Sequence, residues 1–258
     1  MKFNLIKIAA YLAVLGTGAA FAQAPAAPAP SPLSFNLSLT SNYKYRGQDQ
    51  HLTRTSSFKP ALQGGFDYAL PSGFYVGNWN STVSFRDTAN NKANLEIDLY
   101  GGYKFSAGDW GFDVGALTYI YPGAGKANTT EIYGATTYGP FTAKYSSTVS
   151  RGYFGVGEAT GDGRGTGYLN LAFAKEVAPS LTFKASVGQT MFRSVINTPT
   201  NFNFTDYSVG ASYDLGDGLS LTGALHGATK KDSFQYVVNG NTRSANRDTF
   251  ILTITKAL

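Results

Sequence analysis

SGFYVGNWNSTVSFRDTANNKANLEIDLYGGYKF, Ser72–Phe105, is the stretch that decides the fold. In its first half Tyr75, Gly77, Trp79, Ser81, Val83 and Phe85 alternate with Phe74, Val76, Asn78, Asn80, Thr82 and Ser84. In its second half Leu95, Ile97, Leu99, Gly101, Tyr103 and Phe105 share one face, and Asn94, Glu96, Asp98, Tyr100, Gly102 and Lys104 the other. A period of two places successive side chains on opposite faces of a strand. Each run is at least ten residues long, whereas strands of ordinary globular domains average about five or six. The polar Asp87–Lys92 segment joins the runs as a hairpin. Long strands with one apolar and one polar face fit a membrane-spanning barrel better than a small sandwich.

The pattern continues in both directions. Upstream, Leu33–Arg46 sets Leu33, Phe35, Leu37, Leu39, Tyr43 and Tyr45 against Asn36, Ser38, Thr40, Asn42, Lys44 and Arg46. Phe58–Leu70 follows the polar Gly47–Ser57 loop. Downstream, Trp110–Tyr121, Thr130–Tyr138, Phe141–Ser150, Thr166–Lys175, Leu181–Met191, Phe204–Leu215, Leu219–Thr229 and Asp248–Leu258 read as strands. Connections alternate between short turns (71–73, 107–109, 139–140, 177–180, 216–218) and longer loops (47–57, 87–92, 122–129, 151–165, 192–203, 230–247). Within the last loop, SFQYVV reads as an extension of its flanking strands. The expectation is an all-β fold: a transmembrane antiparallel up-and-down barrel of about twelve strands, ten or fourteen also fitting the pattern. Leu33–Tyr45 is expected to pair with Asp248–Leu258, because lipid cannot satisfy an open sheet edge. An even count puts both termini on the side of the short turns, the periplasm. A soluble periplasmic sandwich or lipocalin-like barrel fits less well, because the polar face carries Asp67, Glu96, Asp98 and Lys104.

The N-terminus is set apart. Lys2 and Lys7, the apolar Ile8–Leu15 and the Ala20-Phe21-Ala22 site predict a cleaved secretory signal over 1–22. Residues 23–32, QAPAAPAPSP, read as an Ala/Pro-rich leader before the 33–258 barrel. The absence of Cys excludes disulfides, thiolate chemistry and lipid attachment at the cleavage site. Thirty Gly, seventeen Tyr and eighteen Phe suit tight turns and aromatic belts. The net charge of +5 is diffuse, and no basic stripe points to nucleic acid.

Several stretches together resemble one bacterial family. NYKYRG (Asn42–Gly47), PALQGGFDYALPSGFYVGNW (Pro60–Trp79), LEIDLYGGY (Leu95–Tyr103), YIYPG (Tyr119–Gly123) and EIYGATTYG (Glu131–Gly139) are similar to the proteobacterial Gcw_chp family, also labelled TorF-like porins. The resemblance covers the mature chain from about Phe35 to Leu258 and implies an outer-membrane barrel in a Gram-negative bacterium. It brings no catalytic residues. The chain departs from the common barrel ending, with Leu258 where Phe is usual.

Residues on the polar face are expected to line a wet lumen: Lys44, Arg46, Asp67, Glu96, Asp98, Lys104, Asp113 and Lys144. Glu96 and Asp98, two apart on one face, are expected to pair with Lys44, Arg46, Lys104 or Lys144 rather than to act as a glycosidic acid–base pair. Tyr43, Tyr45, Tyr68, Tyr75, Trp79, Tyr103, Trp110, Tyr138 and Tyr145 are expected in the aromatic girdles. Ser220 and His226 share a face but lie about 20 Å apart along a strand, too far for a nucleophile and its base. His51 falls in a loop, two isolated histidines make no metal motif, and GDGRGTG at Gly161–Gly167 lacks the Lys-Ser/Thr of a phosphate loop. No cofactor is expected. The expected partners are outer-membrane lipid and lipopolysaccharide, the barrel-assembly machinery during insertion and a small hydrophilic solute. Passive passage of ions or small solutes is the leading functional expectation. A sealed structural or surface-interaction barrel is the alternative, and a lipid-modifying enzyme fits less well.

Overall fold

The computed structural model describes residues 31–54, 56, 58–86, 91–156, 162–193, 196 and 200–258. The signal at 1–22 and most of the 23–32 leader lie outside the described residues, as do parts of the loops at 87–92, 151–165 and 192–203. The strands are β1 (Leu33–Thr40), β2 (Lys44–Tyr45), β3 (Gln48–Asp49), β4 (Ala61–Ala69), β5 (Phe74–Arg86), β6 (Lys92–Ala107), β7 (Trp110–Ile120) and β8 (Thr129–Tyr138). They continue as β9 (Phe141–Thr148), β10 (Gly167–Ala178), β11 (Leu181–Met191), β12 (Phe204–Gly216), β13 (Leu219–Ala228), β14 (Gln235–Val238), β15 (Asn241–Ser244) and β16 (Thr249–Ala257).

Twelve of these strands close into one antiparallel barrel, in the order β1, β16, β13, β12, β11, β10, β9, β8, β7, β6, β5, β4. The seam joins the first strand to the last: Leu39 lies opposite Ile254, and Phe35 and Leu258 exchange backbone hydrogen bonds of 3.2 and 2.9 Å. Across it the Ser38 and Thr255 hydroxyls pair at 2.8 Å inside the barrel. Closure leaves no N–H or C=O row open to lipid.

The two faces are inverted relative to a soluble domain. Leu37, Leu39, Leu99, Phe105, Leu171, Val209, Phe250 and Leu252 are exposed on the outside, while Ser38, Gln63, Ser81, Glu96, Asp98, Asn170 and Thr255 are buried inside. The short turns gather at one end and the long loops at the other, as the alternation predicts.

Three expectations fail locally. The first strand ends at Thr40 rather than Arg46, and Tyr43 is buried. The hairpin β14–β15 is a separate two-stranded sheet, not an extension of β13 and β16. On β5 the outward residues are Phe74 and Val76, so Tyr75 and Trp79 face inward. The cause lies across the strand pair. Tyr75 is opposite Gly102, and Tyr100 opposite Gly77. The Tyr75 and Tyr100 rings each lie over a glycine of the neighbouring strand, where an added Cβ would overlap the ring. A glycine on the lumen side therefore makes room for a tyrosine beside it.

Candidate functional site

The interior is shaped by the segment between β1 and β4. Ser41 still bonds the wall, its N–H donating to Leu252 O at 2.8 Å, but the chain then turns inward. Lys44–Tyr45 and Gln48–Asp49 pair as a small hairpin about Arg46 (φ 47°) and Gly47 (φ 73°). Two consecutive left-handed residues are what a tight hairpin turn demands, and glycine meets the second at no steric cost. Space enforces it too: a Cβ on Gly47 would lie 2.7 Å from Gly227 O. The hairpin tip thus presses on β12 and β13.

From that tip Arg46 reaches Glu131 on β8, the fifth strand from β1 counted through β4. Its Nη1 and Nη2 donate to Oε1 and Oε2 at 3.0 and 2.7 Å. The guanidinium also donates to Tyr153 OH and lies 4.1 Å from the ring centroid of Tyr168. Such a two-point pair fixes direction as well as distance.

A second cluster holds the base of the hairpin. Asp49 is fully buried and takes Lys44 at 3.1 Å, Lys59 at 3.1 Å and Arg247 at 3.0 Å. Lys44 also donates to Ala245 O at 2.9 Å, and Tyr236 OH accepts from Lys59 at 2.5 Å. Burial by itself raises the Asp49 carboxyl's pKa. The three cations outweigh it and hold the group below the usual carboxylate value. Next to it, burial and then the charges of Arg54 and Lys59 push His51 down to about 4, so this imidazole is neutral at physiological pH.

Aromatic packing completes the filling at the long-loop end. Tyr43, Trp79, Val83, Tyr119 and Tyr121 form one cluster; Tyr153, Phe192, Ile196 and Phe204 form another, and Phe154 packs against both. Tyr43 meets Trp79 edge-on at 5.7 Å, and Tyr45 OH bonds Tyr119 OH.

Against this background the expected lumen residues separate into groups. Arg46 and Lys44 are inside but carried by the inward hairpin, not by β1. Glu96 and Asp98 do face inward, yet among the described residues neither pairs with a cation, contrary to expectation. Glu96 accepts from Tyr121 OH at 3.0 Å within the aromatic cluster; of the cations expected there, Lys44 is held by Asp49 and Arg46 by Glu131, while Lys104 and Lys144 lie elsewhere, over tyrosine rings. Nearer the short turns, Asp67 accepts from Tyr100 OH and Asp113 from Tyr75 OH, both at 2.7 Å. Lys104 lies opposite Asp113 and over the Tyr75 ring at 4.5 Å, and Lys144 lies over the Tyr133 ring at 3.9 Å.

The expected girdle also divides. Tyr68, Tyr103, Trp110, Tyr138 and Tyr145 are exposed on the outer face, whereas Tyr43, Tyr45, Tyr75 and Trp79 lie inside. Sequence reasoning missed Asp49, Lys59, Glu131, Lys184 and Asp206. For Glu131 and Lys184 the signal was present: each alternates with an outward Ile132 or Phe183 on its own strand.

Below the inward hairpin a chamber of about 310 Å³ remains. Lys44, Tyr45 and Arg46 bound it on the hairpin side; Asp98, Lys144, Tyr168, Asn170, Lys184, Asp206, His226, Thr253 and Thr255 line its wall. It is a space in the lumen lined mainly by polar residues, and the arrangement can hold a small hydrophilic molecule.

Solved structures with this fold include the KdgM porin, with TM-score 0.52 and 8% identity over 86% of this chain and 98% of that one. The NanC porin gives TM-score 0.49 and 11% identity over 87% of this chain and 98% of that one. At such identities the likeness is one of fold. No curated protein matches the sequence. A porin-like barrel with an apolar outer surface is the form of a Gram-negative outer-membrane protein. The family described as "Bacterial protein of unknown function (Gcw_chp)" matches residues 23–258, and the chain belongs to that family.

Proposed function

We propose that the barrel is a narrow passive channel for ions or small hydrophilic solutes, with its long loops outside the cell and both termini in the periplasm. The observation that carries this reading is the polar chamber inside a closed barrel wall. A structural barrel gains nothing from keeping charged groups around an internal space of this volume, since buried polar groups cost stability unless they are satisfied. The inward hairpin narrows the passage in its upper half, and lipid and lipopolysaccharide are the proposed neighbours of the outer surface.

The aromatic clusters at the long-loop end favour a second reading, a barrel sealed there and working through its surface. Planar-bilayer recording of the refolded protein separates the two. Small discrete steps, below those of sixteen- or eighteen-stranded porins, are expected for a twelve-stranded ring. A correctly inserted barrel that is silent over a broad voltage range overturns the channel reading in favour of the sealed one.

A further inference from the structure

Lys184, on β11, lines the chamber, and among the described residues its ammonium has neither a hydrogen-bond partner nor an ion pair. The reason lies beside it. Its neighbours across the sheet are Ala174 on β10 and Gly210 on β12, with Ala224 beyond Gly210 on β13. None of them can meet a charge, so the ammonium is left to the lumen. The wall that follows carries hydroxyls in pairs: Ser186 with Ser208 at 3.0 Å, Thr222 with Ser212 at 2.9 Å, and Thr255 with Ser38 at 2.8 Å. A hydroxyl pair uses one of its two protons internally, and each keeps the other to donate.

The carboxylates stand elsewhere. Lys184 is three residues from the short-turn end of its strand at Leu181. Lys144, which also lines the chamber, is three from Phe141 and rests on the Tyr133 ring, with no carboxylate partner among the described residues. The two carboxylates of the chamber lie further up their strands, Asp98 nine residues from Ala107 and Asp206 ten from Gly216. Asp206 belongs to the surroundings of Arg46: it accepts at 3.1 Å from Tyr168 OH, and the guanidinium lies over that tyrosine ring. Asp67 and Asp113, nearer the short turns, accept from Tyr100 and Tyr75 on the other half of the ring and do not line the chamber. Glu176 and Asp214 are exposed at the rim, two residues from their strand ends. The lower part of the chamber therefore presents lysines and spare hydroxyl donors without a carboxylate.

An ammonium without a protein counter-ion in a wet lumen attracts a mobile anion, and lysines lining a pore favour anions over cations. We propose that the chamber takes small oxyanions and that Lys184 is the group that selects for them. This names the solute class of the proposed channel and rests on that reading for transport, while binding is measured apart from conductance.

The refolded full-length barrel in detergent, at low ionic strength where charges are least screened, is titrated calorimetrically with malonate, a compact dianion, and with malonamide, its uncharged counterpart. Malonate is expected to bind with a Kd of about 1 mM or tighter, and malonamide at least about tenfold more weakly. Lys184→Met should weaken malonate about tenfold and leave malonamide unchanged, whereas Lys184→Arg should keep the preference. Lys184→Gln serves as a second neutral variant, and circular dichroism confirms the barrel in each. In planar bilayers under a KCl gradient, the reversal potential should favour chloride and move toward potassium in Lys184→Glu. Malonate binding no tighter than malonamide overturns the assignment, as does a preference that both neutral variants leave intact. A conducting barrel whose reversal potential ignores Lys184→Glu overturns it too. If the anion preference holds in a barrel that never conducts, the site stands and the channel reading falls. If the barrel conducts and the preference is absent, the site falls and the channel stands.

Discussion

The Arg46 guanidinium grips the Glu131 carboxylate at two points, 3.0 and 2.7 Å, across the inside of the barrel. One residue comes from the connection after the first strand and the other from the opposite wall, and both side chains are almost wholly buried. This pair holds the inward hairpin across the lumen.

Arg46→Met should therefore leave Glu131 buried without its cation, a change that costs about 3–5 kcal/mol. The urea midpoint of the refolded barrel should fall accordingly, and conductance steps should grow as the hairpin loosens. Adding Glu131→Met should recover much of the stability, because an uncharged pair of similar volume avoids the stranded charge. An unchanged midpoint in the single variant would show that the pair does not anchor the hairpin.

The Asp49 cluster predicts an acid transition. Folding lowers this carboxyl's pKa, so its stabilising contribution is complete above the unfolded value of about 3.9 and is lost as pH falls through the lower folded value. Trp79 reports on the hairpin because it packs on Tyr43, and Trp110→Phe removes the second of the two tryptophans. In that background Trp79 emission should hold steady from pH 7 to about 4 and change only below it. Asp49→Asn should show the changed emission already at pH 7. The same acid transition in both proteins would exclude Asp49 as its origin.

Face assignment is tested on β6. Leu99 is exposed on the outer surface, and Leu99→Lys should lower the yield of folded barrel, since a lysine at the bilayer midplane costs about 2–4 kcal/mol. Charge reversal at Glu96 would be a severe change rather than a mild control, because that residue is sealed among aromatic rings. Asp98→Asn, which keeps the shape of an inward residue beside the chamber, is the appropriate comparison. Equal folding yields for Leu99→Lys and Asp98→Asn would contradict the register.

Cell fractionation tests location and processing together. The mature protein should be found in the outer membrane, and its mass should match loss of residues 1–22. Recovery chiefly in the soluble periplasmic fraction would refute insertion.

A tyrosine laid over a glycine gives a further test. Gly77→Ala should displace the Tyr100 ring, which donates to Asp67 at 2.7 Å. Overpacking of this kind costs about 1–3 kcal/mol, and Tyr100→Phe in the same background should add little. Full additivity of the two substitutions would break the proposed coupling.

The barrel was legible because the alternation is a local property, repeated strand after strand. Leu95 to Phe105 shows it without reference to any other part of the chain. The inward hairpin was not legible for the opposite reason. Asn42–Arg46 continues the alternation of the first strand and Gly47–Gln50 is polar enough to pass for an exposed loop, and what buries them is supplied from far away: Arg247 for Asp49 and Glu131 for Arg46, 198 and 85 positions on. Tyr75 and Trp79 misled for a third reason. An aromatic ring near a strand end suits a lipid interface and a lumen equally, and which face it takes is settled by the register of its whole strand, with Phe74 and Val76 outward.

The attachments of the inward hairpin have a consequence for biogenesis. Lys44 bonds Ala245 O, Gln48 bonds Asn246, and Asp49 holds Arg247, three consecutive residues just ahead of β16. Those residues lie 198 to 201 positions further along the chain and leave the ribosome long after the hairpin. The stopper is thus made early and its fastening late. A growing chain, or one cut short before β16, has neither a shut wall nor a tethered stopper. Nascent barrels can acquire both only in the final stage of maturation, so a single C-terminal segment sets the moment at which the interior becomes fixed.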